Sequence, residues 1–380
     1  MAFAYKIDEH GFFKTSFRWQ HTIWQTVVSS VGFWFFFGIH LLLWISFNND
    51  LLELAGSEIK LDQGILEIDW TNVKIVSALT TFVQVFYTRE CYSRYLKLNH
   101  EVNQSFRSSN RFCFEFKHCC CPNNDIQLMP FLRLAMRYMR ANIVLFYIDL
   151  KHGALDDQHW QLIVAANLLR EDEAMFLKRH MPPQRSFLLL DWISTVTARA
   201  HDLSSLKTKG PVRNLLNSIQ TFDEAQKTVL DLVRMPVPYQ YFHLLNFMLF
   251  VTVTMWAYGM AMTSSIFGPI TYFFASFLFI GMLELAKQFS DPFGDDEVDF
   301  PVHIWIDKFL ENQLSFIEYD FEPQKDGFES RAAEEFQVQF KPGIITSIAG
   351  PKAARPLVPD LFPNLEKEQK EMMTMQDWHK

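Results

Sequence analysis

The chain predicts an all-α membrane protein with four transmembrane helices and a helical cytosolic domain between the second and third. Three observations carry that fold class. Met235 to Leu283 contains no Asp, Glu, Lys or Arg, and since a helix crosses a bilayer in about 20 apolar residues, this stretch makes a hairpin of two spans. A separate apolar run, Ile23 to Phe47, includes Phe33-Trp34-Phe35-Phe36-Phe37. Cationic residues also fall on one side of the spans. Lys6, Lys14 and Arg18 precede the first span, Arg89, Arg94 and Lys97 follow the second, and Arg234 precedes the third. By the positive-inside rule both termini and the middle segment are cytosolic, or on the equivalent side of an organelle membrane.

Residues 1–20 form a cytosolic N-terminal segment. The first apolar run is too long for a signal peptide and lacks a small-residue cleavage site after it, so it reads as an anchor that stays. Residues 21–95 hold the first two spans and an acidic outer loop over 48–70, with Asp50, Glu53, Glu58, Asp62, Glu67 and Asp69. His40 in the first span is either a neutral imidazole facing other helices or part of a proton or ion relay. The second span runs from about Thr71 to Tyr87, with Lys74 and Arg89 placed to snorkel at its ends. Residues 96–234 make the helical cytosolic domain: Leu128, Phe131, Leu132, Leu134 and Met139 recur at helical spacings. Residues 235–287 carry the third and fourth spans, broken near Thr263-Ser264-Ser265 and Phe267-Gly268-Pro269. An acidic loop and a following helix occupy 288–320. The tail, 321–380, is rich in proline and charge and reads as extended or partly disordered.

A mean hydropathy of -0.01 conceals this segregation of apolar and charged blocks. The 38 Phe and 10 Trp exceed what a soluble core needs and suit lipid-facing surfaces and interfacial belts. A net charge of -8 argues against a nucleic-acid partner, which would require a basic face. Of the five cysteines, Cys119-Cys120-Cys121 are adjacent; they read as reduced thiols open to palmitoylation, or with His118 as metal ligands, although neighbouring cysteines converge poorly on one ion. No phosphate loop, nucleophile elbow or His-x-x-x-His pair occurs, so no enzymatic activity is expected. His152, Asp156, Asp157 and His159 read as a solvated turn between helices.

The chemistry concentrates where the fourth span ends. Ser290-Asp291-Pro292-Phe293-Gly294-Asp295-Asp296-Glu297-Val298-Asp299 packs four carboxylates into Asp295–Asp299, just after a proline that ends a helix and a glycine that permits a tight bend. Calcium takes six to eight oxygens from carboxylates and carbonyls, and a helix end leaves carbonyls unused. Gln288 and Asp291 could therefore offer main-chain oxygens, and Asp296 and Asp299 carboxylates. The alternative is a turn in which Asp299 caps the next helix and Pro301 enters its first turn.

Asp291-Pro292-Phe293-Gly294-Asp295-Asp296, then Asp299-Phe300, Trp305 and Asp307, resembles the signature that follows the last transmembrane helix in bestrophins. Gly11 through Arg18-Trp19 resembles the family's amphipathic lead-in to the first span. Phe86-Tyr87-Thr88-Arg89-Glu90-Cys91-Tyr92-Ser93-Arg94-Tyr95 is similar to the end of its second helix, and Met235-Pro236-Val237-Pro238-Tyr239 to the approach to its third span.

The resemblance implies a homopentameric anion channel with its pore on the fivefold axis. It also implies a calcium clasp that controls opening, built from the backbone of Gln288 and Asp291, the side chains of Asp296 and Asp299, and a carbonyl near Tyr5 or Lys6. The narrow neck would map onto Lys74, Ala78 and Phe82, spaced i, i+4, i+8 on one helical face. A cytosolic constriction would fall near Val212. The expected function is a calcium-activated channel for chloride, with bicarbonate as a second anion, embedded in a lipid bilayer. A non-conducting calcium-sensing membrane scaffold is the alternative. Lys74 either lines the pore mouth or snorkels to the interface.

Overall fold

The computed structural model describes residues 16, 18–19, 22–48, 70–120, 128–153, 155–204, 210–262, 266–294 and 298–318. Among them eleven helices run in order: α1 Ile23–Val28, α2 Val31–Asn48, α3 Trp70–Cys120, α4 Met129–His152, α5 Asp157–Ala165, α6 Glu171–Lys178, α7 Pro182–Leu203, α8 Gly210–Arg234, α9 Tyr239–Met262, α10 Gly268–Ser290 and α11 Val302–Glu318. Contacts divide the chain into two units. One comprises residues 1–100 with 231–300, the other 101–230 with 301–380. The continuous α3, free of Gly and Pro from Trp70 to Cys120, contributes to both.

In the first unit, α9 and α10 are each long and apolar enough to cross a membrane, and α2 is a shorter apolar helix over Val31–Phe47. The apolar run from Ile23 is not one helix. It breaks at Ser29 and Ser30, where the Ser29 hydroxyl donates to the Gln25 carbonyl at 2.6 Å and competes locally with helix continuation. The short α1 then lies close against α10: Trp24 stacks on Phe277 at 4.2 Å, and a Cβ on Gly281 would stand 3.2 Å from Ile23. Pro269 sits in the first turn of α10, a position that wants no amide hydrogen. Thr263-Ser264-Ser265 lies outside the described residues.

The unit's core gathers Leu245, Leu249, Val253 and Ala257 of α9 with Tyr272, Leu283 and Ala286 of α10 and Tyr87 and Cys91 of α3. His40 is fully buried. Its Nδ1 lies 2.9 Å from the Ala257 carbonyl, and its ring stacks on Tyr272 at 4.3 Å, so the imidazole ties α2 to both hairpin helices.

The second unit is organised by α4 against α7. Asn142 donates to the Ser186 carbonyl at 3.0 Å, and the Ser186 hydroxyl lies 2.8 Å from Gln226 Oε1 of α8. Arg185 reaches Asp149 at 3.0 and 3.2 Å, donates its Nε to the His180 carbonyl at 2.8 Å and lies over the Trp160 ring at 5.2 Å. α11 is tied to α3 by Gln313, which donates to Ser109 at 2.9 Å, and by Lys117, which donates to the Phe316 carbonyl at 2.8 Å. The Asp156 side chain caps α5 by accepting from the His159 amide at 2.9 Å, so the His/Asp group near residue 156 includes a helix N-terminus.

Burial raises the Asp149 carboxyl from 3.8 to about 6, with Arg185 and then His159 pulling it back. The folded chain therefore keeps this proton to a higher pH than the unfolded chain. The group's contribution to stability is full below about pH 3.8 and is lost as pH rises to about 6. Asp149→Asn should flatten the pH dependence of thermal stability between about pH 4 and 6.5. An unchanged slope would assign the titration to Asp307, whose carboxyl burial also raises to about 6.

Candidate functional site

Two features on the first unit converge on the loop after α10 and on one face of α3. The helix ends at Ser290, with Asp291 at its C-cap in a non-helical conformation. Pro292 brings no N–H to the carbonyl of Gln288 four residues earlier, so that oxygen lacks its helical donor. The chain turns back so that the Phe300 amide donates to the Pro292 carbonyl at 2.9 Å. Asp299 is 4% exposed. A Cβ on Gly294 would stand 3.1 Å from one Asp299 carboxylate oxygen and 3.7 Å from one of Asp291. The two carboxylates thus converge on the place where the backbone has no side chain, which is why glycine fits there.

The turn is fastened to α3. The Tyr95 hydroxyl donates to the Val298 carbonyl at 3.0 Å. Its ring lies 4.7 Å from Phe300 and 5.4 Å from Phe289, and Phe293 meets Phe300 edge-on at 5.6 Å. Burial, then the charge of Asp299, then Tyr92 raise the Tyr95 phenol. No sequence expectation assigned Tyr95 a role. Its position in the Tyr92-Ser93-Arg94-Tyr95 stretch was the available signal.

Of the expected clasp residues, Asp291 and Asp299 are brought together at Gly294. The Gln288 side chain points elsewhere, 3.5 Å from Thr26 Oγ1, so only its carbonyl concerns the loop. Asp296 and Tyr5 lie outside the described residues. Among the described residues no group of three or more His, Cys, Asp or Glu side chains assembles a metal site. The oxygen-only donor set present at the turn still fits a hard cation such as calcium. The alternative reading of Asp299 as a helix cap is not what the backbone shows: α11 begins at Val302, and Pro301 holds the cap position, its carbonyl accepting from the Trp305 amide at 3.1 Å.

The face of α3 is set by what it buries. Val73, Ser77, Thr80, Gln84, Tyr87 and Cys91 are all buried, at the alternating three- and four-residue spacing of one helical stripe. The polar members are bonded: Trp256 donates to Ser77 at 2.5 Å, Thr80 and Thr252 hydroxyls meet at 2.7 Å, and Gln84 donates to the Phe279 carbonyl at 2.6 Å. Lys74 and Ala78 are exposed, as are Ile75, Leu79, Phe82, Val85 and Phe86. Phe82 and Phe86 rings lie 4.6 Å apart. Lys74, Ala78 and Phe82 therefore share the outward face, while Val212 is half-buried near the start of α8, in the second unit.

A family model described as "Bestrophin, RFP-TM, chloride channel" matches residues 3–319. The chain belongs to the bestrophin family. Bestrophin-6 of Caenorhabditis elegans is 20% identical over 339 residues, covering 84% of each chain. An aspartate-to-alanine variant of a Klebsiella pneumoniae bestrophin homolog superposes with a TM-score of 0.63 at 14% identity, over 76% of this chain and 98% of that one. The L177T variant of the same homolog gives 0.62 at 15% identity, over 76% and 99%. At those identities the structures establish the bestrophin fold.

In this bestrophin the closeness of two carboxylates to Gly294 has a measurable cost. Gly294→Ala would force the Asp299 carboxylate to move, and such overpacking costs about 1 kcal/mol or more. Thermal unfolding of the purified protein should start a few degrees lower, on the order of 2–4 °C. An unchanged midpoint would mean that the carboxylates do not crowd that position.

Proposed function

We propose that this bestrophin is a passive anion channel, carrying chloride and secondarily bicarbonate, that assembles as a homopentamer around a pore lined by the outward face of α3. The carrying observation is that face. Every polar residue of the buried stripe is satisfied within the protomer, while Ile75, Leu79, Phe82 and Phe86 stand exposed on the other side. In an assembly with fivefold symmetry such a face supplies both the contacts between neighbours and an apolar constriction. Rings of this kind gate by dewetting and favour weakly hydrated anions. Four spans per subunit follow from the charge pattern: α1–α2 together, the start of α3, α9 and α10.

Lys74 lies one turn before Ala78 and two before Phe82, toward the acidic 48–70 segment. A ring of ammonium groups there offsets carboxylates that would otherwise repel an arriving anion. At the opposite end, the carbonyls of Gln288 and Asp291, the carboxylates of Asp296 and Asp299 and a carbonyl near Tyr5 would hold calcium, whose charge would keep the acidic groups together. A turn held in that way is fixed to α3 through Tyr95, which biases the pore helix toward the open arrangement.

Chloride current from the purified chain in liposomes tests the reading directly, and purified pentamers that carry no current would favour a calcium-sensing scaffold. Native mass spectrometry should show a pentamer of the 44.7 kDa chain; a monomer or dimer in mild detergent would end the channel reading. Alanine at both Asp296 and Asp299 should abolish the calcium response while pentamers persist, and a preserved response would remove those carboxylates from the clasp. Phe82→Ala should leak anions at calcium levels that close the parent, because a narrower ring excludes water better. Lys74→Glu should lower chloride current most at low salt, where screening is weakest. Equal currents at low salt would place Lys74 at the lipid interface.

A further inference from the structure

A cavity of about 490 Å³ opens in the first unit where α3, the α8–α9 connection and the end of α10 meet. That is an ordinary size for a small-ligand site. Arg94 and Lys287 both line it, with Tyr87, Tyr239 and Phe242 as aromatic wall. Arg94 is preset. Its Nη2 donates to the Leu232 carbonyl at 2.6 Å and its Nη1 to the Met235 carbonyl. Neutral carbonyls fix the direction of a guanidinium without cancelling its charge. Lys287 pairs with Glu284 at 2.7 Å, but its side chain is 41% exposed, and an exposed pair of this kind yields readily to a better anion. Asp291 also lines the cavity, yet one of its carboxylate oxygens lies 3.7 Å from the vacant Cβ position of Gly294, on the acidic-turn side.

The cavity lies where α9 begins and α10 ends, the level at which both apolar helices leave the bilayer if they cross it. The charge pattern puts that end on the cytosolic side, where anionic lipids concentrate. Two cations beside an aromatic wall at that level suit a group with a phosphate head and an apolar tail. We propose that this cavity binds the phosphate of an anionic phospholipid from the cytosolic leaflet, with Arg94 and Lys287 on the phosphate and the Tyr87–Phe242 wall on the start of the acyl chains. The inference rests on α9 and α10 crossing the bilayer and not on conduction, and its readout is binding.

The test is equilibrium binding of a fluorescent phosphatidylglycerol to the purified full-length protein in neutral detergent, with a matched phosphatidylcholine in parallel. The parent should prefer phosphatidylglycerol, and Lys287→Gln should weaken that binding about tenfold, as expected for one charge-assisted hydrogen bond. Lys287→Arg should restore it, and phosphatidylcholine should be indifferent to all variants. Inorganic phosphate at millimolar levels that displaces the probe from the parent but not from Lys287→Gln would keep the anion site and name free phosphate as a second occupant. Equal phosphatidylglycerol binding by the parent, Lys287→Gln and Arg94→Gln would overturn the proposal. Because the Lys287 side chain is partly exposed, its variants decide the matter even if Arg94→Gln does not fold.

Discussion

Buried away from water, a hydrogen-bonding group has nothing to fall back on, and leaving one unpaired costs on the order of 1–3 kcal/mol. That constraint sets the rotation of α3. The Ser77 and Thr80 hydroxyls also donate within their own helix, to the Val73 and Val76 carbonyls. Trp256, Thr252 and the Phe279 carbonyl meet Ser77, Thr80 and Gln84 on one side only, so turning the helix about its axis would break all three contacts. Once that stripe is fixed, the opposite face is fixed too. The exposure of Phe82 and the placement of Lys74 and Ala78 are consequences of bonds made on the far side of the helix.

The same economy of polar groups explains the acidic turn. A helix ending in a proline leaves a carbonyl without its donor, and an adjacent glycine lets two carboxylates crowd together. Tyr95 makes the state of the turn matter to α3, because the phenol bonds the turn's own backbone at Val298. The cavity beside Arg94 shares Asp291 with this turn, so the charge on one side of that residue is felt on the other.

Much of this was legible in the sequence. The uncharged stretch from Met235 to Leu283 announces α9 and α10, and the proline near its middle marks where α10 starts. The acidic signature identifies the turn because its residue types sit at specific positions. Other features were hidden by the nature of the signal. Hydrophobicity alone could not show the break at Ser29 and Ser30, since the flanking residues stay apolar throughout. The start of α3 gave a faint apolar signal because its buried stripe is partly polar and charges flank it. Asp299 suits a helix cap by composition, but Pro301 takes that position and the carboxylate turns inward. The role of Arg94 depends on two carbonyls well over a hundred positions away, which no local pattern encodes.

Glycine and proline are where long helices bend, and α3 has neither across its 51 residues. At 1.5 Å per residue it is a rod on the order of 75 Å long. Tyr95 and Phe82 lie on the same uninterrupted stretch, roughly 20 Å apart along the axis. A rod of this kind stores little torsion between two such points. Between them Gln84 is held to the Phe279 carbonyl, so a twist imposed at the tyrosine meets that bond before it reaches the phenylalanine, and the helix behaves as a keyed shaft.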